Sequence, residues 1–392
     1  MCSKSFSILF SKSFKMLLIM VVVAILGSLF PVLTFASGPF KISVTNYGTI
    51  SGQNISGIAA IKSQIDTVFQ TLENDVNTKL PDTSGSDSYL RGMSDAGVIA
   101  LKGLGVDYAS DPDVFVVGVG AGAGVDVGNN SFSDLISGKV NANHFRGFGA
   151  QLSLMGGINL GIFPLPTMGI FDPKKLSLFM NVWKMSIPKL GSNLTGKLSN
   201  FGMHAQYKIL GGMSFPFFFR WGGIDITTGL DVASMDLTYI QDLNKSTQQT
   251  ITVTSIPGLS TNPQLTATYA GQVKAGAKVS EWTVPIEVSS NVQLLYFLTF
   301  FGGLGMDLNG GKSTANANVG GNVTAGDSTG YINGINATTT LDLGREGKPR
   351  SMNARWFAGT QLNFWLVKLY AQINHGIGQN TWGANLGLRV AY

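Results

Sequence analysis

The chain ends in Trp382-Gly383-Ala384-Asn385-Leu386-Gly387-Leu388-Arg389-Val390-Ala391-Tyr392, where every second side chain back from Tyr392 is apolar. The alternate positions carry small or polar residues. Successive side chains of a strand point to opposite faces, and about 9–11 residues cross the hydrocarbon of a membrane. The stretch therefore predicts the closing strand of a transmembrane β-barrel, with Leu386, Leu388, Val390 and Tyr392 on the outer face. A half-buried strand of a soluble sandwich would show the same alternation.

The start of the chain predicts export. Lys4, Lys12 and Lys15 precede the apolar run from Met16 to Leu33, and small residues follow it. This order is typical of a signal peptide, and we expect cleavage after Ala36. The alternative is an uncleaved membrane anchor, since about 18 apolar residues begin to suffice for a span.

Composition supports a barrel. Charged residues make up 12% of the 392 residues, against about 25% in soluble domains, and there are 50 glycines. Removing residues 1–36 takes away three of 27 basic residues and no acidic ones, which leaves 24 against 22. This balance excludes the basic patch that a nucleic-acid partner needs. The sole cysteine, Cys2, precedes the apolar run, so it cannot be the acylated cysteine of a lipoprotein signal, and the mature chain has no disulfide.

Residues 37–108 form a separate N-terminal segment between the signal peptide and a barrel at 109–392. From Ser56 to Pro81, apolar residues recur every three or four positions, which predicts a small amphipathic helix. The apolar stripe of this helix must pack against another part of the protein. The segment either caps the barrel mouth, packs on its own neighbour near Ala96 to Leu104, or inserts into the lumen as a plug.

The barrel pattern begins at Val114. In the run from Val117 to Val125, four glycines fall on one face, which leaves room for another backbone or a plug to approach. The run partly matches the dinucleotide-binding fingerprint, but a polar loop follows it where the fingerprint requires a helix.

Further alternating stretches bring the count to about 12–14 strands of an all-β, antiparallel transmembrane barrel. The predicted strands are 114–125, 147–163, 176–186, 203–213, 225–240, 264–278, 282–297, 299–308, 315–323, 332–343, 356–366, 368–376 and 381–392. Short turns at Leu298 and Val367 alternate with long polar loops predicted at 241–262 and 309–330. Short turns on the periplasmic side and long loops outside are the expected asymmetry.

A polar lumen is the main functional clue. In the run from Lys368 to Asn374, alternation directs apolar side chains to lipid and polar ones inward. The predicted lumen-facing residues are Lys368, Tyr370, Gln372, Asn374 and Arg389.

Signals for enzymatic chemistry are weak. The three histidines lie far apart, and no catalytic residue, cofactor or metal site is expected. Gly310-Gly311-Lys312-Ser313 resembles a phosphate loop, but Met306 stands where its first glycine is needed. Asp111 and Asp113 flank Pro112, and a turn explains them without calcium.

The run Gly149-Ala150-Gln151-Leu152-Ser153-Leu154-Met155-Gly156-Gly157 and the closing stretch from Trp382 to Tyr392 resemble spirochaetal surface proteins described as adhesins for host matrix proteins. That resemblance implies binding of laminin, fibronectin or plasminogen. Some members are considered lipoproteins, and their anchoring does not transfer to this chain.

Two functions therefore remain open for a bacterial outer-membrane barrel. The first is a porin-like or plugged channel for small solutes. The second is a surface adhesin that binds host extracellular-matrix proteins through extended loops. In both, the expected partners are outer-membrane lipids and the barrel-assembly machinery. A soluble exported β-rich domain is a third possibility.

Overall fold

The computed structural model describes most of the chain after residue 40. The described residues are 41–50, 52–55, 59–79, 86–128, 146–167, 169, 171–190, 193–215, 218–250, 264–327, 330 and 332–392. The predicted signal peptide lies outside them. None of the helices in these ranges has the length and apolar character that a membrane span needs.

Most described residues belong to strands. The strands are β1 Lys41–Ile50, β2 Gln53–Asn54, β3 Phe115–Asp126, β4 Gly147–Asn159, β5 Leu176–Leu190, β6 Leu194–Phe215, β7 Phe219–Thr250, β8 Gln264–Leu294, β9 Leu298–Asp327, β10 Ile332–Gly347, β11 Met352–Phe364, β12 Val367–Gly376 and β13 Thr381–Ala391. The α-helices are α1 Ala59–Lys79 and α2 Ser86–Leu101, and two 3₁₀ turns lie at Leu160–Ile162 and Pro173–Lys175.

Ten of these strands close a ring. From β3 to β9 each strand pairs antiparallel with the next, β9 pairs with β11, and β11, β12 and β13 follow in order. The ring closes where β13 pairs with β3, from Thr381 opposite Asp126 to Ala391 opposite Val116. Closure satisfies the backbone groups along each strand, which a hydrocarbon environment demands. The predicted all-β, antiparallel barrel is confirmed, with ten of the thirteen described strands in the closed ring.

The described part of the chain holds thirteen strands, but not those that the pattern delimited. The two predicted strands at 264–278 and 282–297 are one strand, β8, and those at 299–308 and 315–323 are both in β9. The loop predicted at 309–330 is therefore wrong, because β9 continues to Asp327. β7 likewise continues to Thr250, so the loop predicted at 241–262 is wrong over residues 241–250, and its residues 251–262 lie outside the described residues.

The outer face of the ring is an apolar belt. Eight of its side chains, exposed over 42–63% of their surface, are Leu154, Val182, Phe201, Leu230, Ile286, Leu304, Leu369 and Leu386. On β7 the belt runs over nine residues, from Ile224 to Val232, which matches the length of a transmembrane strand.

Above the belt the two faces of the sheet exchange character. On β8, Lys274 and Lys278 are exposed on the outside, whereas Ala277 and Val279 are buried inside. Apolar residues pointing inward and polar ones pointing outward are the arrangement of a protein surrounded by water. The exchange therefore marks one boundary of the belt. Residues 241–250 and 309–327 of the two predicted loops lie in strands at or beyond this boundary.

The strands beyond this boundary form a projection that we call the lobe. It contains β7 from Ser234, β8 to Ser280, β9 from Lys312, β10, β1 and β2. The 17 residues of β7 from Ser234 to Thr250 extend about 50 Å at about 3.3 Å per residue.

Helix α1 covers one face of the lobe. Its residues Ile61, Ile65 and Phe69 are buried in a cluster with Ile335 and Ala337 of β10. This contact covers Ile61 and Ile65 of the apolar stripe predicted between Ser56 and Pro81. We call this side of the ring the lobe end, and the opposite side, with the turns after Leu294 and Phe364, the short-turn end.

Candidate functional site

The barrel lumen is filled by the chain itself. Ten strands about 4.8 Å apart, tilted by about 40°, form a ring about 20 Å across between backbones. A helix with its side chains is about 10–12 Å wide, so it fits only where the lining is small. We call residues 86–111, which comprise α2 and the ten residues after it, the lumen segment.

Glycines make the room for α2. A Cβ placed on Gly122 would lie 2.1 Å from the carbonyl oxygen of Ala100, and one on Gly124 would lie 2.0 Å from that of Ala96. On β4, a Cβ on Gly149 would lie 2.5 Å from the Cα of Gly97. The glycine face of β3 thus allows a second backbone to approach at van der Waals distance.

The lumen segment passes through the ring from end to end. At the lobe end, Ser313 Oγ donates to the carbonyl oxygen of Leu90 at 2.5 Å. At the short-turn end, Gln361 Nε2 donates to Ser110 Oγ at 2.9 Å, and Asp111 pairs with Lys208 at 3.0 Å. The chain then enters β3, so the first barrel strand starts at the end opposite to the lobe.

A four-residue charge cluster holds the middle of the segment. Lys102 Nζ lies 3.0 Å from Asp307 Oδ1 and donates to Thr283 Oγ1 at 2.9 Å. Arg355 pairs with Asp307 at 2.9 Å and with Glu287. All four charged side chains are at most 2% exposed. Two cations therefore balance two carboxylates in a buried site, and each charge depends on the others.

A second ion pair lies toward the short-turn end. Arg389 Nη1 contacts Asp107 Oδ1 at 3.0 Å, and Arg389 Nη2 donates to the carbonyl oxygens of Gly103 at 3.2 Å and Val106 at 2.7 Å. The guanidinium also lies 3.6 Å from the ring centroid of Tyr370, a cation–π distance. Arg389 thus binds both the Asp107 side chain and the backbone of the lumen segment.

Tyr108 and Asp95 complete the contacts. Tyr108 Oη donates to Glu287 Oε2 at 2.6 Å, and its ring packs against Phe357 with centroids 4.7 Å apart. Near the lobe end, Arg350 donates its backbone N–H to Asp95 Oδ1 at 2.9 Å. Burial of the Asp95 carboxyl raises its pKa from an ordinary 3.8 to about 6, and the Arg350 contacts offset only part of that effect.

The predicted lumen-facing residues lie at two levels of the barrel. Tyr370, Gln372, Asn374 and Arg389 are buried inside the ring at 0–2% exposure. Lys368 lies at the short-turn end, where its Nζ donates to the carbonyl oxygen of Trp365 at 2.6 Å. It is therefore not part of the buried charge cluster. The structure places Leu386, Leu388 and Val390 on the outer face of β13, and Tyr392 follows the strand directly with its side chain exposed.

Several key residues carried a signal that sequence reasoning did not use. Glu287, Asp307 and Arg355 occupy the inward positions of strands whose outward positions are apolar. A charge at such a position in a low-charge chain needs a buried partner. Lys102 and Asp107 gave no such signal, because they lie after a helix that was not predicted.

The N-terminal segment predicted at 37–108 divides into two parts. The described residues between 41 and 79, which include β1, β2 and α1, belong to the lobe, whereas α2 and the residues after it lie in the lumen. Gly310 to Ser313, the near-miss to a phosphate loop, are part of β9. Asp111 pairs with Lys208 and Arg220.

Comparison with known proteins gives a family and a set of remote structural likenesses. The family model described as Lsa36-like matches residues 48–392. No curated protein sequence matches the chain.

Three solved structures illustrate the structural likenesses. The Acinetobacter baumannii outer membrane protein Omp33 is 8% identical, with 72% of this chain and 99% of that chain covered and a TM-score of 0.23. The CymD monoaromatic hydrocarbon channel is 8% identical, with 76% and 98% covered and a TM-score of 0.23. Ail of Yersinia pestis, in complex with a heparin analogue, is 8% identical, with 71% and 98% covered and a TM-score of 0.17. The fold assignment rests on the closed ring of strands and not on these scores.

Proposed function

The chain belongs to the Lsa36-like family, a spirochaete surface protein family, and from that premise we propose that it is a plugged outer-membrane β-barrel that displays the lobe as a binding surface for host matrix proteins. The observation that carries the proposal is the lumen segment. It fills the ring from the lobe end to the short-turn end and is fixed by buried ion pairs. A barrel closed in this way serves as an anchor more readily than as an open pore.

The direction of the barrel supports display. Outer-membrane barrels place short turns in the periplasm and their larger connections outside. The turns after Leu294 and Phe364, the start of β3 and the C-terminal Tyr392 all lie at one end, and the lobe lies at the other. The lobe, including the N-terminal strand β1 and helix α1, therefore faces the cell exterior in this proposal.

The proposal carries the sequence expectations with it. The chain is exported by the signal peptide 1–36, is inserted by the barrel-assembly machinery and has no enzymatic activity. Laminin, fibronectin and plasminogen are the partners that the family resemblance implies.

The test is to shorten the lobe without opening the ring. In β7 and β8, Lys245 lies opposite Tyr269 in register. Replacing residues 246–268 by Asn-Gly joins these positions through a two-residue hairpin turn, so the barrel pairing below is kept. Binding of the detergent-solubilised protein to immobilised laminin and fibronectin is then measured beside the unmodified chain.

A matched variant changes the opposite end. Lys174→Gln with Lys175→Gln alters the exposed 3₁₀ turn at the short-turn end. We expect the hairpin replacement to weaken binding at least tenfold and the lysine variant to leave it unchanged. Equal binding by all three proteins would contradict the lobe as the binding surface.

A plugged channel is the second candidate, and one observation favours it. Among the described lumen residues, Gln206 Nε2, Thr227 Oγ1 and Ser289 Oγ are buried and have no protein hydrogen-bond partner. Buried polar groups of this kind usually bind water, so a hydrated path beside the lumen segment would satisfy them. Conductance of the full chain separates the two functions, since a hydrated path conducts ions with the lumen segment in place and a closed anchor does not.

A further inference from the structure

The outer surface of the barrel carries a cationic depression at the boundary between the belt and the lobe. Across β5, β6, β7, β8 and β9, three successive rows of outward side chains lie in register. The lowest row is Val182, Phe201, Val232, Trp282 and Gly310. The middle row is Lys184, Ser199, Ser234, Ser280 and Lys312. The upper row is Ser186, Lys197, Asp236, Lys278 and Thr314.

Residues of the lowest and middle rows line a cavity of about 480 Å³, and those from the middle row are Lys184, Ser199, Ser234 and Ser280. Ser199, Ser234 and Ser280 are side by side, and the hydroxyls of Ser234 and Ser280 are 3.3 Å apart. Short side chains between taller neighbours create the depression. We call the three serines, with Lys184, Lys197, Lys278 and Lys312 around them, the headgroup cup.

Lysines surround the cup on three sides. Adjacent strands are about 4.8 Å apart, so Lys197 and Lys278 stand about 10 Å from each other with Asp236 between them. Lys184 and Lys312 close the two sides. Lys184, Lys197, Lys278 and Lys312 are all exposed. Two carboxylates oppose the four ammonium groups, since Asp236 lies within the upper row and Glu346 contacts Lys312 at 3.5 Å. The remaining charge is positive.

The fourth side is apolar. Val182, Phe201, Val232 and Trp282 lie directly below the serines and expose 42–45% of their surface. They are the uppermost residues of the belt on their strands. A ligand in the cup would therefore meet hydroxyls and ammonium groups at its polar end and aliphatic and aromatic groups below it. Lipids with an anionic headgroup have this order of chemistry, and lysines at a membrane surface attract them.

We propose that the headgroup cup binds a lipid of the leaflet at the lobe end whose phosphate headgroup carries a net negative charge, with the phosphate among the lysines and the acyl chains against Trp282, Val232 and Phe201. This inference rests on the proposed membrane location of the barrel. It adds a lipid site that neither the lumen nor the lobe surface supplies, and it gives the barrel a fixed depth in its leaflet.

The test uses the full chain in detergent and native mass spectrometry. The probes are dioleoyl phosphatidic acid and dioleoyl phosphatidylcholine, which share their acyl chains and differ in headgroup charge. We expect the dissociation constant for the first bound phosphatidic acid molecule to be at least about tenfold lower than that for the first bound phosphatidylcholine molecule. The variant Lys184→Gln, Lys197→Gln and Lys278→Gln should lose that preference, because each lysine near a membrane surface contributes to anionic lipid binding.

A control variant removes three exposed lysines elsewhere, Lys62→Gln, Lys174→Gln and Lys348→Gln, and should keep the preference within about twofold. Both variants should retain the electrophoretic shift on boiling that marks a folded barrel. Three results would each contradict lipid binding at the headgroup cup. They are equal affinity for the two lipids, an equal loss of the phosphatidic acid preference in the control variant, and complete displacement of the lipid by inorganic phosphate. A chain that is soluble without detergent would instead overturn the proposed function itself.

Discussion

Replacing Lys102 tests whether the lumen segment is held by the buried charge cluster. Lys102→Met keeps most of the side-chain length and removes the ammonium group that contacts Asp307 at 3.0 Å and Thr283 at 2.9 Å. The cluster then holds two carboxylates, Asp307 and Glu287, against the single guanidinium of Arg355. Its balance changes from neutral to one negative charge in a site that is at most 2% exposed.

The expected size follows from that burial. Removing one partner of a buried ion pair costs about 3–5 kcal/mol, because the other charge stays desolvated. Asp307→Asn alone should cost a similar amount, since it leaves an excess positive charge. The double variant restores neutrality, so its loss should be smaller than the sum of the single losses by at least about 1.5 kcal/mol.

The assay is reversible urea unfolding at pH 7.5 in detergent or lipid vesicles, followed by tryptophan fluorescence. Lys348→Met at an exposed position serves as the control and should change the free energy of unfolding by less than about 0.5 kcal/mol. The reasoning is refuted if Lys102→Met behaves like this control. It is also refuted if the two single losses add, because the two side chains would then not interact.

Three further predictions follow from the lumen. Deleting residues 37–108 should raise single-channel conductance in planar bilayers well above that of the full chain, and an unchanged conductance would rule out the lumen segment as a plug. Gly122→Val should lower the free energy of unfolding by more than about 2 kcal/mol, because a Cβ there meets the carbonyl oxygen of Ala100, whereas Gly156→Val, where a Cβ has no neighbour within 4 Å, should cost less than about 1 kcal/mol. Asp95 has a folded pKa of about 6, above its ordinary 3.8, so the folded state binds the proton more tightly and stability falls as pH rises from about 4 to 6. Asp95→Asn should remove that dependence and raise stability at pH 7 by at most about 3 kcal/mol, and parallel pH profiles of the two proteins would contradict the assignment.

The closing strand shows what local pattern can predict. Alternation has a period of two residues, so the outer face of β13 and the inward direction of Tyr370, Gln372 and Arg389 follow from neighbouring residues alone. The belt, the short turns and helix α1 are predictable for the same reason. None of these features depends on which strands are neighbours.

The filled lumen depends on ring closure. Helix α2 has the polar residues Ser94 and Asp95 in a stretch that is buried from Gly92 to Leu101, so it shows no clean apolar stripe. The partners of Lys102 and Asp107 after the helix, Asp307 and Arg389, become neighbours only when ten strands close around the lumen segment. Residues 241–250 and 309–327 have the polar composition of loops but belong to strands of the barrel and lobe, because their polar side chains point outward into water. The exchange of faces above Trp282 cannot be found from sequence without knowing where the belt ends.

The most direct test of a membrane-spanning barrel threaded by its own N-terminal region is cysteine labelling on intact cells. In a Cys2→Ser background, Gln70→Cys places a thiol on the exposed face of α1 in the lobe, and Lys174→Cys places one at the short-turn end. A membrane-impermeant maleimide should label the Gln70→Cys variant on intact cells and the Lys174→Cys variant only after the outer membrane is permeabilised. Labelling of both variants or of neither on intact cells, or of the Lys174→Cys variant alone, would contradict the threaded barrel.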